Sequence, residues 1–188
     1  GSYTNAAVGS ETVSKLSAQL FANKFDLLYA LDSETASNYI IKEVRSPLEE
    51  MAKLSGNDLL SYSATLLCVA FHPDGRYLVF HIGDGAIIGY DVNKGLKAVS
   101  IYQHDGPANQ TTFVTVDNTE YNFIRGKDTY SSFVLMSDGP EDFLVNEVEV
   151  NPRVQMMIQL SYFVSEEAMK EQLASLINLL NDNGMTDD

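Results

Sequence analysis

The spacing of apolar residues predicts helices over the first part of the chain. Val13, Leu16, Leu20 and Leu27 recur at roughly helical intervals, with alanine, glutamine and lysine between them. Residues 33–54 carry a second apolar stripe, made of Tyr39, Ile40, Ile41, Val44, Leu48, Met51 and Leu54. Pro47 lies inside this second segment, and we expect it to kink or divide the helix because proline removes a backbone hydrogen bond. The sequence "SGND" at 55–58 ends the pattern.

From about residue 61 the spacing changes to that of strands. Four segments rich in β-branched and aromatic residues cover 63–71, 77–82, 86–91 and 96–103. They are separated by "HPDG", "GDG" and "VNKG", which are short turn sequences of the kind that join paired strands. We therefore predict an antiparallel meander, with further strands at 111–116, 121–124 and 131–136.

Helical signals return after residue 137. Pro140 suits a first helical turn, Asn151 followed by Pro152 begins another helix, and Ser165 caps a last one. The buried stripe of the last helix is predicted to contain Met169, Leu173, Leu176, Ile177 and Leu180. Helices, then many strands, then helices predict an α+β fold in which helices cover antiparallel sheet, with residues 1–188 as a single domain.

The stretch "VAFHPDGRYLVFHIGDGAIIGYD", residues 69–91, is open to two interpretations. Three short apolar strands with Pro-Asp-Gly and Asp-Gly turns are typical of one blade of a β-propeller, and equally of the middle of an antiparallel sheet in an enzyme. A propeller needs several blades, because one blade cannot bury its own faces. The pattern occurs once and its flanks are helical, which argues against the propeller.

Composition and charge narrow the classes of partner. The chain is 45% hydrophobic and 20% charged, as in ordinary globular proteins, and its formal net charge is -14. Nucleic acid and anionic membrane surfaces would repel so acidic a chain, so neither is expected as a partner. Cys68 is the only cysteine, which excludes an intrachain disulfide and a thiolate metal cluster. It lies in the apolar run "ATLLCVAF", where we expect a buried strand, and a reducing, cytoplasmic setting is expected.

Four aspartates follow or lie near predicted strands and are candidate metal ligands. They are Asp84 in "HIGDGA", Asp138 and Asp142 in "VLMSDGPEDF", and Asp187 in "NGMTDD". Mg²⁺ and Mn²⁺ take oxygen ligands and keep several waters, and two such ions can clamp an in-line phosphoryl displacement. Carboxylates that converge at one end of a sheet would hold these ions while leaving positions open.

Each of these residues also has a local structural explanation. Asp138 with Glu141 three residues later forms a capping-box pattern, and Asp84 between two glycines is typical of a hairpin turn. Asp142 would then be a charge on a helix face, and Asp187 a charge in a solvated tail. Local sequence alone favours these explanations.

The histidines and arginines are weaker candidates. His72, His81 and His104 are not at metal-ligand spacing, although His81, next to the Gly-Asp turn, could line a site. Arg76 and Arg125 are the arginines nearest the aspartate motifs, and either could meet a substrate phosphate. A strand-face role for His81 and a surface role for both arginines are the default expectations.

Four motifs in order resemble a known family. "YSATLLCVAF", "YLVFHIGDGAIIGYD", "SSFVLMSDGPEDFL" and "NGMTDD" are similar to successive motifs of the metal-dependent Ser/Thr protein phosphatases, the PPM or type 2C family. "ANQTTFVT", at 108–115, resembles a stretch of bacterial members. The resemblance implies a four-layer α-β-β-α sandwich and hydrolysis of phosphoserine or phosphothreonine in a phosphoprotein substrate by a metal-bridging water. It further implies two central Mn²⁺ or Mg²⁺ ions bound by Asp138 and Asp187, with Asp84 and Asp142 around a third.

The sequence also departs from the family pattern. The family opens with Asp-Gly-x-Gly, and here Gly1 matches the last glycine of that motif unless Gly1 and Ser2 are a cloning remnant. We therefore expect a phosphatase-like domain that lacks strands at both ends, with Gly1 beside the metal centre. Gly85 stands where serine is more usual. The alternative interpretation is a catalytically inactive phosphatase-like module that binds or regulates.

Overall fold

The structure is a computed structural model that describes residues 3–101, 111–146 and 149–182. The described helices are α1 Ala6–Ala30, α2 Ser33–Ser55, α3 Asp138–Leu144, α4 Pro152–Ser161 and α5 Glu166–Asp182, with a 3₁₀ helix at Leu59–Tyr62. The strands are β1 Leu66–Phe71, β2 Arg76–Ile82, β3 Ala86–Asp91, β4 Gly95–Ile101, β5 Asn122–Lys127, β6 Ser132–Met136, β7 Val145–Asn146 and β8 Glu149–Val150. The described chain divides into a first unit, residues 3–84 and 111–128, and a second unit, residues 85–101, 129–146 and 149–182. The predicted mixture of helices and antiparallel sheet is confirmed.

The two long helices of the first unit form where the apolar stripes predicted them. Asp32 caps α2, since its carboxylate accepts a hydrogen bond from the backbone N–H of Thr35 at 2.9 Å. Gly56 ends the helix with a left-handed conformation, φ +71°, as the "SGND" break predicted. Inside α1, Lys24 departs from helical geometry, with φ -125° and ψ 18°.

The expected division of α2 at Pro47 is wrong, because the helix continues through this residue to Ser55. Val44 and Leu48, on either side of the proline, are fully buried in one hydrophobic cluster. Burying a side chain of this size contributes about 1.5–3 kcal/mol, so two such anchors offset the hydrogen bond that proline removes. Packing therefore overrides the local preference.

The first unit holds an antiparallel sheet with strand order β1-β2-β5. Strand β2 is central, and residues 77–82 are buried on both faces. Leu78, Phe80 and Ile82 point into the cluster that also contains Phe21 and Leu28 of α1, as well as Ile40 of α2. This packing fixes the end of β2, which leads directly into the Asp84 turn.

The second unit holds an antiparallel sheet with strand order β4-β3-β6 and a two-stranded β7-β8 ribbon. Its core consists of Ala86, Ile88, Met136, Leu144, Val154, Ile158, Leu176 and Leu180. Asn151 caps α4 by accepting from the backbone N–H of Arg153 at 3.0 Å, and the backbone N–H of Ala168 donates to the Ser165 hydroxyl at 3.3 Å. Both predicted caps are confirmed.

The predicted meander is correct for the β1–β2 and β3–β4 pairs and wrong between β2 and β3. These two strands lie in different sheets. Strand β2 already pairs with β1 and β5, and β3 with β4 and β6, so neither has an edge left for the other. Asp84 is therefore in a connection between sheets and not in a hairpin turn.

Two finer expectations also change. Residues 111–116 form turns and irregular backbone instead of a strand. Leu173, expected in the buried stripe of α5, is 43% exposed, and the deeply buried members of that stripe are Leu176 and Leu180. Of the predicted 96–103 strand, residues 102 and 103 lie outside the described residues.

Among the helices that the structure describes, none is both long enough and apolar enough to cross a bilayer.

Candidate functional site

Asp84 lies between Gly83 and Gly85, two positions whose backbone conformation favours glycine. Gly83 and Gly85 both have φ +95°, in the region that L side chains rarely adopt. A Cβ atom on Gly83 would lie 2.3 Å from the Thr65 methyl carbon and 2.9 Å from the carbonyl oxygen of Thr112. The Gly83 backbone thus packs against two neighbouring segments. This packing fixes the position of the backbone from which the half-buried Asp84 side chain extends.

Two side chains hold the Asp84 turn. The hydroxyl of Thr111 donates to Oδ2 of Asp84 at 2.6 Å. Nε2 of His81, a residue only 2% exposed, donates to the main-chain carbonyl of Asp84 at 3.3 Å. Burial lowers the pKa of His81, and the hydrogen bond to Asp84 opposes that shift. The ring is therefore neutral at pH 7, and the strand-face position expected for His81 is the one found, with the ring joined to the turn.

The segment that carries Thr111 is anchored through its own contacts. The backbone N–H of Val114 donates to the carbonyl of Ala64 at 3.0 Å, and the hydroxyls of Ser63 and Thr115 form a buried pair at 2.8 Å. Thr119 donates to the carbonyls of Phe113 and Val116, at 2.7 and 2.5 Å. The Val114 and Thr119 contacts satisfy backbone groups of the segment without a strand ladder.

Helix α2 holds the same segment from another side. Arg45 donates to the carbonyl of Val116 at 3.2 Å and pairs with Asp117 at 2.7 Å and with Glu49 at 2.8 Å. Residues 111–119 are therefore irregular in backbone and still tied to the first unit at several points. This gives the Thr111 hydroxyl a defined position.

Asp138 is the first residue of α3, in the second unit. It follows β6, whose last residue, Met136, pairs with Ala86 at the start of β3. Ser137, not Asp138, is the N-cap, and its side chain makes no capping hydrogen bond, so the capping-box interpretation is wrong. Asp138 and Glu141 are both in the first turn, where acidic groups interact favourably with the helix dipole. The Asp138 side chain is exposed and therefore accessible to solvent ions.

The remaining candidates are placed only in part. Asp142 lies in α3 one turn after Asp138, so these two residues share a short helix of the second unit, whereas Asp84 belongs to the first unit. Gly1, His104 and Asp187 lie outside the described residues. The roles in the metal site that are predicted for Asp84, Asp138, Asp142, Asp187 and Gly1 remain predictions.

A comparison with family models identifies the chain. The model described as Protein phosphatase 2C matches residues 1–178. The chain belongs to the protein phosphatase 2C family. No curated protein and no solved structure matches it. The family resemblance is thus confirmed; three of the four ordered motifs lie within the matched residues, and "NGMTDD", at 183–188, lies beyond them.

Members of the protein phosphatase 2C family are generally metal-dependent, and the donor chemistry of this member fits a hard cation. Asp84 and Asp138 offer carboxylate oxygens, the ligands that Mn²⁺ and Mg²⁺ take. Within residues 3–101, 111–146 and 149–182, no three His, Cys, Asp or Glu side chains form a group that could hold an ion. Two other predicted ligands, Gly1 and Asp187, lie beyond the described residues.

The two candidate arginines of this phosphatase 2C family member have structural contacts. Arg76 pairs with Asp26 at 2.8 Å and Asp74 at 2.7 Å, and its guanidinium lies 5.0 Å from the ring centre of Tyr29. It begins β2, whereas Asp84 follows the end of that strand, about 20 Å further at the usual rise per residue. Arg125 donates to the carbonyls of Tyr29 and Leu31. Both side chains hold the first unit together.

Sequence reasoning missed one residue of the site. The pattern predicts a strand at 111–116 and gives Thr111 no role, yet its hydroxyl binds the Asp84 carboxylate. The only signal in the sequence was the likeness of "ANQTTFVT" to a stretch of bacterial phosphatases. Local pattern carries no information about a contact between residues 27 positions apart.

Proposed function

We propose that this chain is a metal-dependent protein phosphatase that hydrolyses phosphoserine or phosphothreonine in a phosphoprotein substrate. The observation that carries the proposal is the family match over residues 1–178. The closely packed Gly83 backbone before Asp84 and the exposed Asp138 side chain at the start of α3 support it. We also propose that the chain adopts the four-layer α-β-β-α sandwich of the family.

Charge explains why a cation is needed. The chain carries a formal net charge of -14, so a phosphate group approaching its carboxylates is repelled. Bound Mn²⁺ or Mg²⁺, two ions with a third more weakly held, would neutralise the phosphate and lower the pKa of a bound water. The family resemblance implies that Asp138 and Asp187 are ligands of the central ions and that Asp84 and Asp142 are ligands of the additional one.

The residues around Asp84 would orient its carboxylate and hold its backbone. Thr111 fixes one oxygen of the Asp84 carboxylate, and the carboxylate retains further lone pairs for a metal ion. His81 binds the carbonyl of the same residue and stays neutral, so it adds no competing positive charge. Carboxylates that position the metal ions, and not a basic cluster, would define where the phosphate group is held.

The test is a phosphatase assay of the full-length protein on a phosphothreonine peptide. We expect turnover that Mn²⁺ stimulates and a chelator abolishes, and at least about a 100-fold loss of kcat in Asp138→Asn, as for loss of a main electrostatic group. Glu167→Gln is the matched control, since Glu167 is an exposed helix-terminal acid in the same unit and the change in charge is identical. Full activity of Asp138→Asn, or turnover insensitive to chelator, contradicts the proposal.

The alternative is a phosphatase-like module that binds without catalysis. The departure of Gly85 from the usual serine after Asp84 favours it. Calorimetric titration with Mn²⁺ together with the turnover assay separates the two, because a metal-dependent phosphatase must both bind the metal and release phosphate. A protein that binds a phosphopeptide but neither takes up Mn²⁺ nor releases phosphate would be the module.

A further inference from the structure

The Thr111–Asp84 hydrogen bond joins two parts of the first unit that are each held independently. At 2.6 Å it is a short O–H···O⁻ contact, of the charge-assisted kind. Gly83 fixes the backbone before Asp84, and the Val114–Ala64 and Ser63–Thr115 bonds fix the backbone after Thr111. With both ends fixed, the hydroxyl restricts how the carboxylate can rotate.

We propose that Thr111 is a positioning residue that holds the Asp84 carboxylate in the orientation needed for a divalent cation. The inference rests on the proposed function, since it assumes that Asp84 is a ligand. A carboxylate has about four lone-pair positions, so one hydrogen bond to Oδ2 leaves the group able to ligate. Groups that orient a ligand in this way commonly change metal affinity by about 10–100-fold when removed.

Thr111 could instead serve only to anchor its own segment, and the chain offers a control for that. The Ser63–Thr115 hydroxyl pair anchors the same segment, is buried, and makes no hydrogen bond to Asp84. Thr115→Val therefore removes a structural hydroxyl of the same kind. If Thr111 were only structural, Thr111→Val and Thr115→Val would behave alike.

The experiment is calorimetric titration of Mn²⁺ into the full-length protein and its variants, with urea unfolding of each measured separately. Thr111→Val should weaken the affected Mn²⁺ site by about tenfold, whereas Thr111→Ser, which keeps the hydroxyl, should stay within about twofold of wild type. Thr115→Val should lower the urea midpoint and leave Mn²⁺ affinity within about twofold. Asp84→Asn should remove the site.

The outcomes separate this inference from the proposed function. Turnover in the wild type with unchanged Mn²⁺ affinity in Thr111→Val overturns the positioning role and leaves the phosphatase intact. Weakened Mn²⁺ binding in both Asp84→Asn and Thr111→Val, without turnover in the wild type, supports the positioning role and overturns the phosphatase. Absence of Mn²⁺ binding by the wild type overturns both.

Discussion

Gly83→Ala is expected to disturb the turn that carries Asp84 more than its one added methyl group suggests. The new Cβ atom would lie 2.3 Å from Cγ2 and 2.7 Å from Cβ of Thr65, and 2.9 Å from the carbonyl oxygen of Thr112. The Cβ atom of Thr65 and the carbonyl oxygen of Thr112 cannot swing away as the end of a flexible side chain can. The change must therefore move the turn, the segment before β1, or residues 111–115.

The magnitude follows from two terms. A non-glycine residue at positive φ costs roughly 1–2 kcal/mol, and overpacking a filled site costs about 1–3 kcal/mol more. Gly83→Ala should thus lower the free energy of unfolding by about 2–5 kcal/mol. Gly56→Ala is the matched control, because Gly56 has φ +71°, lies in the same unit and has nothing within 4 Å of the added Cβ. It should cost only the first term.

Urea unfolding followed by far-ultraviolet circular dichroism measures both variants. The chain has no tryptophan and ten tyrosines, so tyrosine fluorescence provides the second probe. Adding Thr65→Ser to Gly83→Ala removes the nearest methyl group and should restore part of the loss, about 1 kcal/mol. The reasoning fails if Gly83→Ala costs no more than Gly56→Ala, since that result would mean the close approach is absent.

Three further predictions concern other parts of the first unit. Pro47→Ala should raise the free energy of unfolding by about 1–3 kcal/mol in urea titrations, because alanine restores a hydrogen bond inside a continuous helix; lower stability would contradict an uninterrupted α2. Burial raises the pKa of the Cys68 thiol to about 12, so the native protein at about pH 8 should react with a thiol reagent more than about 100-fold slower than the urea-unfolded chain. Equal rates would mean that Cys68 is accessible. Arg76→Gln should lower the urea midpoint, because it breaks the pairs with Asp26 and Asp74, yet leave KM for the phosphopeptide unchanged. A large rise in KM would return Arg76 to the substrate site.

Much of the secondary structure was predictable because its causes are local. The apolar stripe over 33–54 anticipated α2 to within one residue, and "NPR" anticipated the Asn151 cap of α4. A stripe, a cap or a glycine stop depends on residues only a few positions apart, so a window of sequence contains the whole signal. Pro47 is the exception, since the buried side chains on either side of it outweigh the local rule.

For the candidate site, the sequence predicted where two aspartates lie along the chain and not the contacts that hold them. The motifs located Asp84 after one strand and Asp138 after another, and the family match confirmed the resemblance behind them. The turn sequence "GDG" is compatible with a hairpin and with a connection between sheets, and the hairpin was the wrong choice. Which one forms depends on whether β2 has a free edge, a property of the assembled sheet.

By itself, then, the sequence determined the helices, most of the strands, the caps of α4 and α5, and the family. Only the tertiary structure decided that β2 and β3 belong to different sheets, that residues 111–119 are held by side chains instead of a ladder, and that Thr111 binds Asp84. The physical reason is that strand edges and hydroxyl groups accept many partners of similar energy. Burial of one particular set of apolar side chains selects among them, and that selection involves residues far apart in the chain.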